Sequence, residues 1–177
     1  MAKFAMLIDA SRCTGCGACR MACQMQWQLP PEMSFNRLEF RERGTYPMVK
    51  QEITPVQCMH CDNAPCIHVC PTRATYKRSD GIVLVNHKKC IGCKYCMTAC
   101  PYGARTLDKK KHIPEKCKFC ADLEQIPACV TTCMCEVRAF GDVDDPNSKI
   151  SKMLATNGVY QLLSEKGTKP RIYYLRK

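Results

Sequence analysis

The chain has 177 residues, room for one compact unit or two small ones, and 17 of them are cysteine. Cysteine at this density means a disulfide scaffold or metal, and repeated groups at metal-ligand spacing select metal. The formal net charge of +11 would fit nucleic acid, but no aromatics interleave with a basic stripe and no reading motif is present, so that class is excluded.

Residues 1–10 read as a strand, with Phe4, Met6 and Ile8 alternating with Ala5, Leu7 and Asp9. Group I follows as Cys13-x2-Cys16-x2-Cys19-x3-Cys23. Gly15 and Gly17 lie inside its loop, where backbone brought close to a bound group needs dihedrals that glycine allows. Residues 21–27 continue as a short helix. After Pro30-Pro31, residues 35–43 and 48–53 read as two strands around Gly44-Thr45-Tyr46-Pro47. This inserted hairpin serves as a cover over a bound group or as a docking surface.

Group II is Cys58-x2-Cys61-x4-Cys66-x3-Cys70-Pro71. Residues 75–85 read as a hairpin turning at Ser79-Asp80-Gly81. Group III, Cys90-x2-Cys93-x2-Cys96-x3-Cys100-Pro101, is the bacterial ferredoxin run for [4Fe–4S] ligation. Its first three thiolates wrap one cubane, and the fourth ligates the neighbouring cluster. Residues 101–115, with Lys109, Lys110 and Lys111, read as a solvated connection. Group IV is Cys117-x2-Cys120-x8-Cys129-x3-Cys133, with Pro127 keeping the end of its wide loop extended. Residues 148–155 read as a helix and 171–175 as a strand, in a tail that covers clusters and meets a partner.

The crossover rule assigns the ligands. Groups II and III are joined by a hairpin and pair with each other, which leaves group I to pair with group IV. Cluster 1 then takes Cys13, Cys16, Cys19 and Cys133; cluster 2 takes Cys58, Cys61, Cys66 and Cys100; cluster 3 takes Cys70, Cys90, Cys93 and Cys96; cluster 4 takes Cys23, Cys117, Cys120 and Cys129. Cys135 has no ligand role, because the x3 step from Cys129 favours Cys133. The donors are iron ligands, and His60, His68, His87 and His112 are ordinary hydrogen-bonded or solvated histidines. The expected fold is α+β: two interleaved bacterial-ferredoxin-like modules, one from 1–23 plus 101–140 and one from 58–100, with an inserted hairpin at 24–57 and a C-terminal extension at 141–177.

Four clusters also change the charge. Sixteen thiolates on four doubly positive cores bring the net from +11 to about +3. Arg12, Arg20, Lys88, Lys89, Lys94, Lys116 and Lys118 are the cations expected to balance them. Every ligand position is filled by protein, no phosphate loop or nucleophile constellation is present, and no catalytic residue is assigned. Four closed redox centres make an electron wire, not an enzyme. A structural zinc protein is the alternative within metal binding. The reading expects no secretory signal, and the longest aliphatic run, Ile82-Val83-Leu84-Val85, is far short of the ~20 residues of a membrane helix.

The four-group order, the wide loop of group II, the hairpin with Gly44-Thr45-Tyr46-Pro47 and the tail Phe140-Gly141-Asp142 with Asp145-Pro146 resemble a known family. It is the four-cluster iron–sulfur (beta) subunit of molybdopterin oxidoreductases of the dimethyl sulfoxide reductase superfamily, nearest the polysulfide, thiosulfate and arsenate reductase type. Met134 departs from the family, which commonly has proline after this Cys. The resemblance implies a molybdopterin catalytic subunit next to cluster 1, a membrane-embedded quinone-binding subunit next to cluster 3, and clusters 4 and 2 between. It also implies membrane association through partners, on the periplasmic face by co-export with the catalytic subunit. The alternative is a cytoplasmic wire for a soluble tungsten or molybdenum aldehyde or formate oxidoreductase, or a hydrogenase.

Overall fold

The computed structural model describes residues 2–123 and 125–176. Met1 of the expected first strand, Glu124 of the group IV loop and Lys177 of the expected extension lie outside the described residues. Small helices and strands alternate: β1 (Phe4–Ile8), α1 (Ala18–Gln26), β2 (Asn36–Arg43), β3 (Lys50–Gln57), α2 (Pro65–His68), β4 (Thr75–Lys77), β5 (Val83–Val85), α3 (Tyr95–Thr98), β6 (Arg105–Asp108), β7 (Ile113–Lys116), α4 (Ala128–Thr131), β8 (Arg138–Asp142), α5 (Lys149–Thr156), β9 (Val159–Tyr160) and β10 (Ile172–Leu175).

The largest sheet has the order β8-β1-β10-β9. β1 is antiparallel to β8 and parallel to β10, with Met6 opposite Ile172. Its alternation is a two-faced burial. Met6 and Ile8 face the main core among the cysteines, whereas Ala5 and Leu7 face Ile150 of α5. Ser148 caps α5 by accepting a hydrogen bond from the Ser151 amide at 3.1 Å. β10 is therefore a central strand of this sheet, and its Ile172 and Tyr174 pack into the core with the cysteines. The expected boundary at 140/141 falls inside β8, because Ala139, Phe140 and Gly141 all pair with β1.

Three hairpins complete the fold. β2–β3 runs from Asn36 opposite Gln57 to Arg43 opposite Lys50. Its base is buried through Phe35, Asn36, Val56 and Gln57, while Tyr46, Met48 and Val49 stand exposed at its tip. β4–β5 turns through Arg78–Ile82, as expected from Asp80-Gly81.

The third hairpin corrects the reading of residues 101–115 as a plain connection. β6 and β7 pair from Arg105 opposite Lys116 to Asp108 opposite Ile113. The lysine run is its turn: Asp108 Oδ1 accepts from the amides of Lys110 at 2.9 Å and Lys111 at 3.0 Å. An Asp side chain that replaces backbone partners in this way turns the chain without glycine.

Candidate metal centres

Each cysteine group is a loop followed by a helix, of nine residues in group I and four in the others, and the helices pack in two pairs, α1 against α4 and α2 against α3. The residue before the second Cys is left-handed in all four groups: Gly15 at φ +75°, His60 at +45°, Gly92 at +71° and Phe119 at +54°. Groups I and III need glycine there. A Cβ on Gly15 would lie 2.9 Å from Ile53 Cδ1, under the β2–β3 hairpin, and one on Gly92 would lie 2.6 Å from the His112 carbonyl of the β6–β7 turn. In groups II and IV the position faces the interior. There the rings of His60 and Phe119 stack with centroids 3.8 Å apart.

The cysteines meet across the paired helices. Cys58, Cys61, Cys66 and Cys100 line one cavity; Cys70, Cys90, Cys93 and Cys96 line a second; Cys23, Cys117, Cys120 and Cys129 line a third. At the remaining site Cys13 is close enough to Cys19 and Cys133 to feel both as charges. Cys16 is exposed and lines an open hollow with Gly17, Arg20 and Met21. Cys135 is half-buried against the core. Among the described residues, no three His, Cys, Asp or Glu side chains converge on a point that a single metal ion would fill. The cysteines surround spaces instead.

The donor set calls for a polycation. Burial pushes the Cys23 thiol up to about 12, and Cys129 and Cys120 push in the same direction. Burial likewise takes Cys61 to about 12, assisted by Cys58, and Cys129 to about 11. Burial raises Cys117 well above the usual thiol value, followed by Cys129 and Cys23. Crowded, buried thiolates repel one another unless a positive core neutralises them. A [4Fe–4S]2+ core bound by four thiolates fits these cavities chemically. Backbone amides also point at sulfur: Val137 N–H lies 3.4 Å from Cys133 Sγ, and Phe119 N–H lies 3.4 Å from Cys117 Sγ. At Cys70 burial is outweighed by the Thr75 amide, the Thr72 hydroxyl and the Ala74 amide, so this thiol falls below its usual value.

Residues 49–143 match a family model described as a 4Fe-4S dicluster domain, and residues 12–74 match a second model of the same description. The chain is 43% identical to the B subunit of sulfite dehydrogenase from Allochromatium vinosum, over 99% of this chain and 83% of that protein. It is 40% identical to the B subunit of tetrathionate reductase from Salmonella typhimurium, over 98% of this chain and 72% of the relative. It is 40% identical to the B component of polysulfide reductase from Wolinella succinogenes, over 97% and 93%. The protein belongs to the iron–sulfur B subunits of the dimethyl sulfoxide reductase family. The group in a B subunit's cavities is thus a [4Fe–4S] cluster.

Two features of this B subunit escape the motif reading. The buried cations beside the cysteines are Arg105, Lys116 and Arg138. Of the seven expected from sequence, only Lys116 is buried; Arg12, Arg20, Lys88, Lys89 and Lys94 are exposed, and Lys118 lies half-buried with Nζ 4.6 Å from the centre of the Trp27 ring. Adjacency to a ligand in sequence leaves a long side chain free to reach water. The second feature is the tail's reach to cluster residues. The Thr168 hydroxyl lies 2.6 Å from Tyr102 Oη, and its proximity opposes the rise of the Cys61 thiol. The four histidines carry other duties: His60 Nδ1 accepts from Val83 N–H, His68 Nε2 meets Asn63 Oδ1, His87 Nε2 pairs with Glu115, and His112 sits in a turn.

Proposed function

We propose that the sixteen cysteines hold four [4Fe–4S] clusters as two interleaved pairs, in the spatial order 1–4–2–3, with Cys135 outside the ligand set. The observations that carry the order are contacts between quartets. Arg138 Nη2 lies 3.9 Å from Cys19 Sγ of quartet 1 while its Nη1 holds Gln57, which lines the cavity of quartet 4; the His60 and Phe119 rings stack between groups II and IV; and Arg105 lines the cavities of both quartet 2 and quartet 3. The helix pairs α1–α4 and α2–α3 support the same interleaving.

When bound, such clusters accept and release single electrons. The protein's own residues fix the spacing, exclude water from quartets 2 and 4, and direct amides at sulfur. At the two ends the thiols come to the surface, as Cys16 in quartet 1 and Cys93 in quartet 3. Exposed Met21 and Met25 accompany Cys16, and exposed Ile91 and Tyr95 accompany Cys93. Buried middle stations with exposed ends suit a protein clamped between two partners. We assign the Cys16 end to a molybdopterin catalytic subunit and the Cys93 end to a membrane-embedded quinone-binding subunit of a respiratory oxidoreductase for sulfur or metalloid compounds. No described helix is long and apolar enough to cross a membrane; we assign membrane attachment to that partner and the complex to the periplasmic face.

The test is metal analysis of the natively purified complex. Roughly sixteen irons per copy of this protein, together with molybdenum and a quinone-reactive membrane partner, are expected. Tungsten in a complex lacking a membrane partner would redirect the reading to a soluble oxidoreductase, and zinc without iron would overturn it.

A further inference from the structure

The fold repeats a spacing that the ligand motifs do not include. Arg105 stands five residues after Cys100, and Arg138 stands five residues after Cys133. Each is the first residue of the strand that leaves its ligand group, β6 in one case and β8 in the other. Both are buried. Among the described residues, no carboxylate forms a salt bridge with either. A buried cation without an anion is costly, and the anionic groups within reach are cluster thiolates.

Each guanidinium lies between two quartets. Arg105 lines both the Cys58 cavity and the Cys70 cavity. Its Nη2 donates to Thr75 Oγ1 at 3.3 Å, while Nη1 is buried with no partner. Arg138 Nη2 lies 3.9 Å from Cys19 Sγ of quartet 1. Its Nη1 donates to Gln57 Oε1 and lies 3.6 Å from Met6 Sδ, and both Gln57 and Met6 line the cavity of quartet 4.

We propose that Arg105 and Arg138 are shared counter-cations, one per cluster pair, each setting the electron affinity of both clusters that flank it. The inference rests on the four-cluster reading above. Adding an electron makes a cluster one charge more negative. A fixed positive charge at close range in a low-dielectric interior stabilises that reduced form, so it raises the reduction potential. Because each guanidinium lies beside two quartets, its effect falls on a pair. These are positioning residues, since they ligate no iron.

The experiment is an EPR-monitored redox titration of the natively purified complex, comparing wild type with Arg105→Gln, Arg138→Gln and the corresponding Lys variants. Iron is counted in every preparation. Arg105→Gln should lower two of the four midpoint potentials, and Arg138→Gln should lower the other two, dividing the signals into two non-overlapping pairs. The Lys variants should keep the wild-type values. Unmoved potentials at full iron content would overturn the inference, as would both Gln variants moving the same signals. If a Gln variant loses iron, its Lys variant decides: retained clusters at wild-type potentials support the charge role, and lost or lowered ones refute it. Fewer than four signals in the wild-type protein would refute the four-cluster reading itself, a separate failure.

Discussion

The ring of His60 stacks on the ring of Phe119 at 3.8 Å between centroids and 25° between planes. Both residues are left-handed, and both precede the second Cys of their group. The stack joins group II to group IV at the place where Cys117 and Cys58 approach. Burial and the nearby Lys116 charge hold the imidazole neutral, so it packs as an aromatic ring. Phe119→Ala should cost about 3–5 kcal/mol, as for other buried aromatics. Bleaching of the cluster absorbance on heating should come at a clearly lower temperature, and an unchanged bleaching temperature would count against the stack as the joint.

Gly92→Ala should damage group III specifically. The added methyl meets the His112 carbonyl at 2.6 Å, and the residue must hold φ +71°. The left-handed conformation alone costs about 1–2 kcal/mol for a non-glycine residue. Gly17→Ala is the control, because its Cβ meets nothing within 4 Å although φ is +76°. The expected readout is greater iron loss from the Gly92 variant; equal loss from both would assign the damage to φ alone.

Cys133 and Cys135 compete for one ligand position in sequence. In the fold Cys133 is the one whose charge acts on Cys13 and whose sulfur receives the Val137 amide. Cys135→Ala should keep the wild-type iron content. Cys133→Ala should lose about four irons, one cubane. Iron analysis of the two purified variants checks the choice, and the reverse pattern would exchange their roles.

Thr168→Val should loosen the tail from quartet 2. It deletes the hydroxyl that meets Tyr102 Oη at 2.6 Å inside a buried site. Tyr102 Oη keeps the Leu162 carbonyl at 3.3 Å, so the loss is about 0.5–1.5 kcal/mol, one hydrogen bond. Tyr102→Phe should cost more in the same assay, because it removes both contacts and leaves the buried Thr168 hydroxyl without this partner. Thermal bleaching of the two variants orders them.

The β6–β7 turn should carry an acid-side dependence. The Lys111 amide, and then the Lys110 amide, hold the Asp108 carboxyl below its usual value. A depressed folded value means that this contribution is fully present above about pH 3.9, the unperturbed Asp value, and is lost as pH falls through the lower folded value. Asp108→Asn should lower stability at neutral pH, where the carboxylate contribution is present, and change it little at the acid end, so that the acid limb flattens. An unaltered acid limb would show that the turn does not depend on this carboxylate.

The sequence reads well where chemistry forces spacing. The cysteine groups, the Asp80-Gly81 hairpin and the helix over 148–155 are local, and each needs only neighbours in the chain to be recognised. It reads poorly where the decisive neighbour is distant. β10 finds β1 across most of the chain, so nothing near Ile172 marks it as central. The β6–β7 turn is obscured by its lysines, because a charge run resembles a solvated link even when one Asp organises it. Arg105 and Arg138 share a visible step from their Cys, but spacing alone does not separate a buried arginine from an exposed one. Their burial comes from strands that begin at those residues.

The wide separation of β1 from β10 has a consequence for how the protein is made. α2 and α3 lie in one continuous stretch, so groups II and III can meet soon after residue 100 has left the ribosome. β1 has no parallel neighbour until Ile172 exists, and α1 waits for α4. Closing so long a loop is the slow step for such contacts. On the ligand pairing proposed above, biosynthesis would order metallation: the pair held by groups II and III can be filled once residue 100 is made, whereas the pair held by groups I and IV needs the finished protein. A polypeptide stalled soon after residue 100 would emerge half-wired, one module filled and group I still bare thiol.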